Sequence, residues 1–158
     1  MYGSIELSFV PVKVKDLVEI SVSPLRSQIK DKEIELHLDV DDNIPEVKID
    51  IEKVAWVLVN LLGNAIRYTP RWGSITIKAR KVKSFVELSV TDSGEGIEEK
   101  YLDSIFESLV KNPGNPKKVG LGLALTISRE IIEAHSGIIK ASSTIGEGSI
   151  FSIQLPIS

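Results

Sequence analysis

Residues 50–68, DIEKVAWVLVNLLGNAIRY, place Val54, Val57, Leu58, Leu61, Leu62 and Ala65 along one line at helical spacing. A helix with one continuous apolar stripe is stable only against another layer, so this segment constrains everything packed around it. Asp50 and Glu52 stand where an N-cap and a first-turn acid belong, and Pro70 ends the run. A second helical pattern covers residues 121–135 and stops at Ser136-Gly137. Around these two helices the apolar residues recur with period two. Residues 33–40 (EIELHLDV) read as a strand, and 74–81 with 85–91 as an antiparallel hairpin. Residues 138–143 and 149–155 read as a second strand pair around the IGEGS turn. Residues 5–12 suggest a strand ending near Pro11, 16–29 a helix kinked or broken at Pro24, and 98–108 a short helix. DDNIP is a turn, and residues 111–119 (KNPGNPKKV) have the composition of a loop. Helices set between groups of antiparallel strands predict an α+β chain, a two-layer α/β sandwich, forming a single domain over residues 1–158.

Bulk properties exclude several functions. A net charge of -3, from 19 basic and 22 acidic side chains, provides no electrostatic footprint for nucleic acid. No apolar run approaches the roughly 20 residues of a membrane helix, and MYGSIELSFVPVKV lacks the plan of a secretory signal. The absence of cysteine rules out disulfides, thiolate metal sites and a cysteine nucleophile. The expectation is a cytoplasmic chain without direct membrane contact, from a parent protein that is either soluble or membrane-anchored.

Four constellations carry possible chemistry. Asn60 and Asn64 are four residues apart, so their carboxamides lie on one helix face. Such amides either bond to neighbouring backbone and specify packing, or offer a carbonyl oxygen to a hard cation such as magnesium. Arg67 and Tyr68 continue that end of the helix, as a phosphate-binding charge with an aromatic wall or as solvated side chains. Asp92-Ser93-Gly94-Glu95-Gly96-Ile97 follows a strand. It suits either a plain turn or an acid that accepts from a base amine while glycines admit a flat ring. Gly120-Leu121-Gly122-Leu123 lies where a helix begins, and backbone N–H groups there bind anions. Gly146-Glu147-Gly148-Ser149 is accounted for by turn chemistry alone.

Taken in order, these motifs resemble a known set. Asn60-x-x-x-Asn64 resembles the N box of histidine kinases, and Asp92-x-Gly94-x-Gly96 their first glycine box. Ile105-Phe106-Glu107 resembles the F box, and Gly120-x-Gly122 and Gly146-x-Gly148 the second and third glycine boxes. The chain is thereby identified as similar to the GHKL, or Bergerat-fold, ATPases, and within them to the catalytic domain of sensor histidine kinases. The resemblance implies a mixed, mostly antiparallel sheet covered on one face by about three helices, with an ATP lid loop over residues 111–119. It implies that Asp92 accepts the adenine amino group, with Gly96 and Ile97 lining the base, Gly94 among the ATP-binding residues and Tyr68 packing near the nucleotide. Asn64 is the implied magnesium ligand, supported by Asn60, and Arg67 and Lys111 the implied phosphate contacts. Gly120, Leu121, Gly122 and Leu123 would surround the phosphates with backbone N–H groups. Leu109 stands where a second F-box aromatic is common and Lys118 where a glycine is usual, so lid packing is expected to differ.

The implied activity is donation of the γ-phosphoryl group of Mg-ATP to a histidine. Hydrolytic relatives carry a glutamate at the position of Asn60, whose carboxamide is too weak a base to activate water, so fast hydrolysis is not expected. Neither His37, in a strand, nor His135, near a helix end, has the H-E-x-x-x-P context of a phosphoacceptor, and both are expected to be structural or solvated. The implied partners are a histidine-bearing helical hairpin domain of the same kinase and a downstream response regulator. This chain by itself is expected to be monomeric and not to phosphorylate itself. The alternative is a nucleotide-dependent docking module or an anti-sigma-type serine kinase.

Overall fold

The computed structural model of the chain describes residues 6–96 and 116–157, and only the backbone over 116–123. The order is β1 (Val10–Val12), α1 (Val14–Val22), a 3-10 turn (Ser23–Leu25), α2 (Arg26–Asp31), β2 (Glu35–Val40), β3 (Val47–Ile49) and α3 (Ile51–Tyr68). Then follow β4 (Ser74–Val82), β5 (Phe85–Asp92), α4 (Pro116–Ala134), β6 (Ile138–Thr144) and β7 (Gly148–Pro156). The expected break at Pro24 is present: the proline sits at the start of the 3-10 turn that separates α1 from α2.

The sheet has five strands in the order β2-β4-β5-β7-β6. Its four long strands from β4 onward pair antiparallel, whereas β2 lies parallel to β4, Leu36 beside Ile75 and Leu38 beside Ile77. A parallel pair needs a crossover, and β3 with α3 supplies it. Alternation along the strands separates two faces. Ile75, Ile77, Ala79, Val86, Leu88, Val90, Phe151, Ile153 and Leu155 are buried inward. Outward lie Thr76, Lys78, Arg80, Glu87, Ser89, Thr91, Ser152 and Gln154, with Arg80 paired to Asp39 and Asp41, and Gln154 donating to Glu87. A face of that polarity stays in water, so helices cover one side only. The helical layer is α1, α3 and α4, with α3 between the other two and against β5. This is the expected two-layer α+β sandwich.

Beyond later starts of β1, at Val10, and β2, at Glu35, two features differ from expectation. Val47–Ile49 is a strand, paired antiparallel with β1. Three residues are too few for alternation to register, and the pairing partner lies far back in the chain. Helix α4 begins at Pro116, so residues 116–119, expected within the lid loop, are helical. Proline at the first helical position loses nothing by lacking an N–H, and two lysines follow it. The 98–108 helix and residues 111–115 of the lid lie outside the described residues.

The start of α3 is tied down from three directions. Asp50 Oδ1 accepts from the N–H of Lys53 (3.2 Å), as expected of an N-cap, and Oδ2 accepts from the N–H of Ser8 (3.0 Å). The Asp50 N–H donates to His135 Nε2 (3.1 Å), and His135 Nδ1 lies 2.8 Å from the carbonyl of Ile131. With Nε2 accepting, Nδ1 is the ring nitrogen placed to donate, so His135 is a buried clamp between the end of α4 and the start of α3. His37 lies on the outer sheet face beside Glu35.

The Ser8 amide, followed by that of Lys53 and the Lys53 charge, holds the Asp50 carboxyl below its ordinary range against the opposing effect of burial. A depressed carboxylate stabilises the fold above its unfolded pKa, and that stability disappears as pH falls through the folded value. Asp50→Ala is expected to cost about 2 kcal/mol, seen as a melting midpoint lower by roughly 4–8 °C at neutral pH. The gap to the native chain should close on acidification; a constant gap across the acid limb would contradict the cap assignment.

Within α3, Gly63 has no evident packing reason. Among the described residues, an added Cβ would meet nothing within 4 Å. Gly63→Ala is therefore expected to stabilise the chain by about 0.5–1 kcal/mol through lower unfolded-state entropy and better helix propensity. Chemical denaturation would show it as a higher midpoint at unchanged slope, and a lower midpoint would refute it.

Candidate functional site

Asp92 is the last residue of β5, with Ile75 of β4 and Ser149 of β7 on either side. Its alternation places it on the inward face, so the carboxyl is buried (6% exposed) at the end of an apolar row. Oδ1 accepts from the N–H of Gly94 (2.9 Å) and the N–H of Ser149 (3.3 Å). Burial raises its pKa, and the two backbone donors oppose that rise. A buried acid held through one oxygen, without an ion pair among the described residues, is a candidate to receive a further donor.

The glycines around it are required by close approach. A Cβ on Gly94 would come within 2.5 Å of the Tyr68 carbonyl, so the turn after β5 packs directly on the end of α3. Gly96 has φ +82 and its Cβ would meet the Thr144 carbonyl, and the Gly146 N–H donates to the Glu95 carbonyl (2.9 Å). Gly148, at φ +122, lies against the backbone of Asp92 too closely for any side chain. The last turn of α3, the turn after β5 and the β6–β7 turn thus form one surface around Asp92.

On α3 the asparagines divide. Asn60 Nδ2 donates to the Trp56 carbonyl one turn back (2.7 Å), the bland reading of such an amide. Asn64 is buried; its Oδ1 accepts a long bond from Arg67 Nη1 (3.3 Å), and its Nδ2 has no hydrogen-bond partner among the described residues. Burial raises the Tyr68 pKa, opposed by the adjacent Arg67 guanidinium. Arg67 therefore stands between Asn64 and Tyr68 at the site's edge. An orphaned buried N–H donor is costly unless an acceptor satisfies it, which makes Asn64 a candidate for facing a ligand. Its carbonyl oxygen suits magnesium, which takes one or two protein oxygens and completes its shell with water and phosphate. Among the described residues no three acids, histidines or cysteines gather as an alternative metal site.

Ile97 and Lys111 lie outside the described residues. Gly120, Leu121, Gly122 and Leu123 are in the second turn of α4, not at its N-terminus, because the helix starts at Pro116. In that register their N–H groups fall inside the helix. The sequence marks Gly146-x-Gly148 as resembling a third glycine box but assigns neither Gly148 nor Ser149 a contact with Asp92; the signal that finds them is the register of β5 with β7.

The fold finds its counterpart in known proteins. Residues 49–158 match the family model described as histidine kinase-, DNA gyrase B-, and HSP90-like ATPase. The chain belongs to that ATPase family. It is 40% identical over 131 residues to the adaptive-response sensory kinase SasA of Gloeothece citriformis, covering 82% of this chain and 33% of that protein. Other SasA proteins are matched over 98% of this chain and 41% of their own length, so the chain spans well under half of these curated relatives. The nucleotide-free catalytic domain of histidine kinase ThkA superposes with TM-score 0.85 at 27% identity, covering 95% of this chain and 96% of that one. Full-length ShkA in complex with AMPPNP superposes with TM-score 0.86 at 26% identity, covering 99% of this chain and 32% of that one. ThkA in complex with its response regulator TrrA gives TM-score 0.81 at 26% identity, covering 96% and 42%. The ATPase fold of sensor histidine kinases is thus shown for this chain, and no helix among its described residues is long and apolar enough to cross a membrane.

Proposed function

We propose that this ATPase-family domain binds Mg-ATP and donates the γ-phosphoryl group to a histidine on a separate helical hairpin domain, from which a response regulator is phosphorylated. The observation that carries the reading is the buried Asp92 carboxylate, held through one oxygen at the junction of three turns whose glycines let their backbones meet around it. A carboxylate accepts and cannot donate, so it selects a base with an exocyclic amine, as in adenine. Arg67, close to Asn64 and Tyr68, is a cation available for phosphate oxygens. Magnesium, when bound, spreads phosphate charge, and Asn64 Oδ1 is the oxygen this chain offers to it. For Gly120 to Leu123 to meet phosphate through backbone N–H groups, the first turn of α4 must open.

Phosphoryl transfer to histidine needs position and charge neutralisation more than a base, because a neutral imidazole nitrogen is already nucleophilic. Asn60, bonded to its own helix backbone, offers no base for water. Donation thus fits this site better than hydrolysis. The likeness to full-length ShkA with AMPPNP and to ThkA with TrrA supports the nucleotide and the regulator as ligand and partner. The test is calorimetric titration with AMPPNP, with and without magnesium, followed by labelled ATP and an added histidine-hairpin domain. One-site binding and label on the hairpin histidine support the reading. Phosphate release with no labelled acceptor would favour a hydrolase, and no binding at millimolar ligand a docking module.

A further inference from the structure

The last four carbonyls of a helix have no intrahelical donor, and at the end of α3 they belong to the turn that carries Arg67 and Tyr68. The Ala65 carbonyl accepts from the N–H of Thr69 (3.0 Å). The carbonyls of Ile66 and Arg67 both accept from Lys32 Nζ, at 2.8 and 3.3 Å, from a residue 34 and 35 positions earlier. The Tyr68 carbonyl lies against Gly94, beside Asp92. Lys32 is therefore the C-cap of α3 in effect: a cation placed on orphan carbonyls at the negative end of the helix dipole.

Its neighbour holds the chain that follows. Glu33 Oε1 accepts from Arg71 Nη1 (2.7 Å) and Oε2 from the Trp72 indole N–H (2.8 Å). Gly73 then enters the sheet side by accepting from the N–H of Glu35 (2.9 Å). Glu33 and Trp72 both adopt positive φ, 56 and 68, a region that non-glycine residues enter only when their surroundings impose it. Two consecutive residues after α2 thus clasp residues 66–72.

We infer that Lys32 is a positioning residue for phosphate recognition, holding the last turn of α3 so that Arg67 faces the nucleotide phosphates. The inference rests on the nucleotide reading above. Removing Lys32 frees two carbonyls and lets the turn fray, and Arg67 is the site residue whose own carbonyl is released. Asp92, fixed by backbone donors from Gly94 and Ser149, keeps its place. Loss of Lys32 must therefore weaken the phosphate-dependent part of binding and spare the part due to the base.

The test uses Lys32→Met, which keeps the aliphatic stem, in the whole chain, with AMPPNP-magnesium and adenosine as probes. The expected result is about tenfold weaker AMPPNP binding with adenosine affinity within about twofold of native, the loss of one charge-assisted contact. In an Arg67→Met background the Lys32 change should cost little more, because both remove the same contact. Equal losses for both ligands, or full additivity with Arg67→Met, overturn the inference. Amide hydrogen exchange supplies a readout that needs no ligand: Lys32→Met should speed exchange of Arg67, Tyr68 and Thr69 and leave the start of α3 unchanged. Unchanged exchange at the end of α3 also overturns it. A native chain that binds neither ligand refutes the nucleotide reading instead, and exchange then decides alone whether Lys32 holds the turn.

Discussion

Asp92→Asn is expected to lower the preference for an adenine over a guanine nucleotide by about 10- to 100-fold, the range of one hydrogen bond to a charged group. The substitution is nearly isosteric, and an asparagine Oδ1 still accepts from Gly94 and Ser149, so the turn stays formed. What changes is the other atom: an obligate acceptor becomes an N–H donor, which opposes the adenine amine and suits a carbonyl at the same place. The same change is expected to raise stability at neutral pH. Burial raises the Asp92 pKa, so the ionised form is the one the fold disfavours. For a raised carboxyl, the favourable contribution is complete below the unfolded pKa and is lost as pH rises through the folded value. The variant should thus melt above the native chain at neutral pH, and the difference should vanish as acid protonates the native carboxyl. Competition between ATP and GTP analogues, with melting curves across pH, measures both. Unchanged base selectivity would sink the assignment of Asp92.

The second large effect is expected of Asn64→Ala. If Asn64 Oδ1 is the oxygen offered to magnesium, the gain in nucleotide affinity on adding magnesium should fall by about tenfold or more, while metal-free binding changes little. Stability separates this from misfolding. The native Nδ2 is buried with no partner among the described residues, and Oδ1 holds only a long bond to Arg67. Removing a group so poorly satisfied should move stability by less than about 1 kcal/mol in either direction. A metal increment that survives the substitution would show that Asn64 is not the ligand. A large loss of stability would mean that its amide is structural.

The residues differ in how much they show before folding. The stripe on α3, its Asp50 cap and the paired periods of β4 with β5 and β6 with β7 depend on neighbours within a few positions, and all were legible. The site motifs were legible too, since Asn64 and Asp92 stand in spacings that resemble a known family. The start of α4 is not legible, because Pro116, Lys117 and Lys118 suit both a loop and a first helical turn. Lys32 carries no signal, and the alternation of residues 33–40 reads Glu33 as strand, whereas its positive φ and its bonds depend on residues 66–72 arriving beside it.

By itself, then, the sequence determined most of the described helices and long strands, which faces are apolar and which family the motifs resemble, because periodicity, caps and spacing act locally. Tertiary structure alone decided that His135 clamps the Asp50 amide across 85 positions, that Gly148 backs Asp92, and that Lys32 closes the end of α3. Each of those depends on sheet register and helix packing, which bring polar atoms within 3 Å or so of one another only after the apolar faces have been buried.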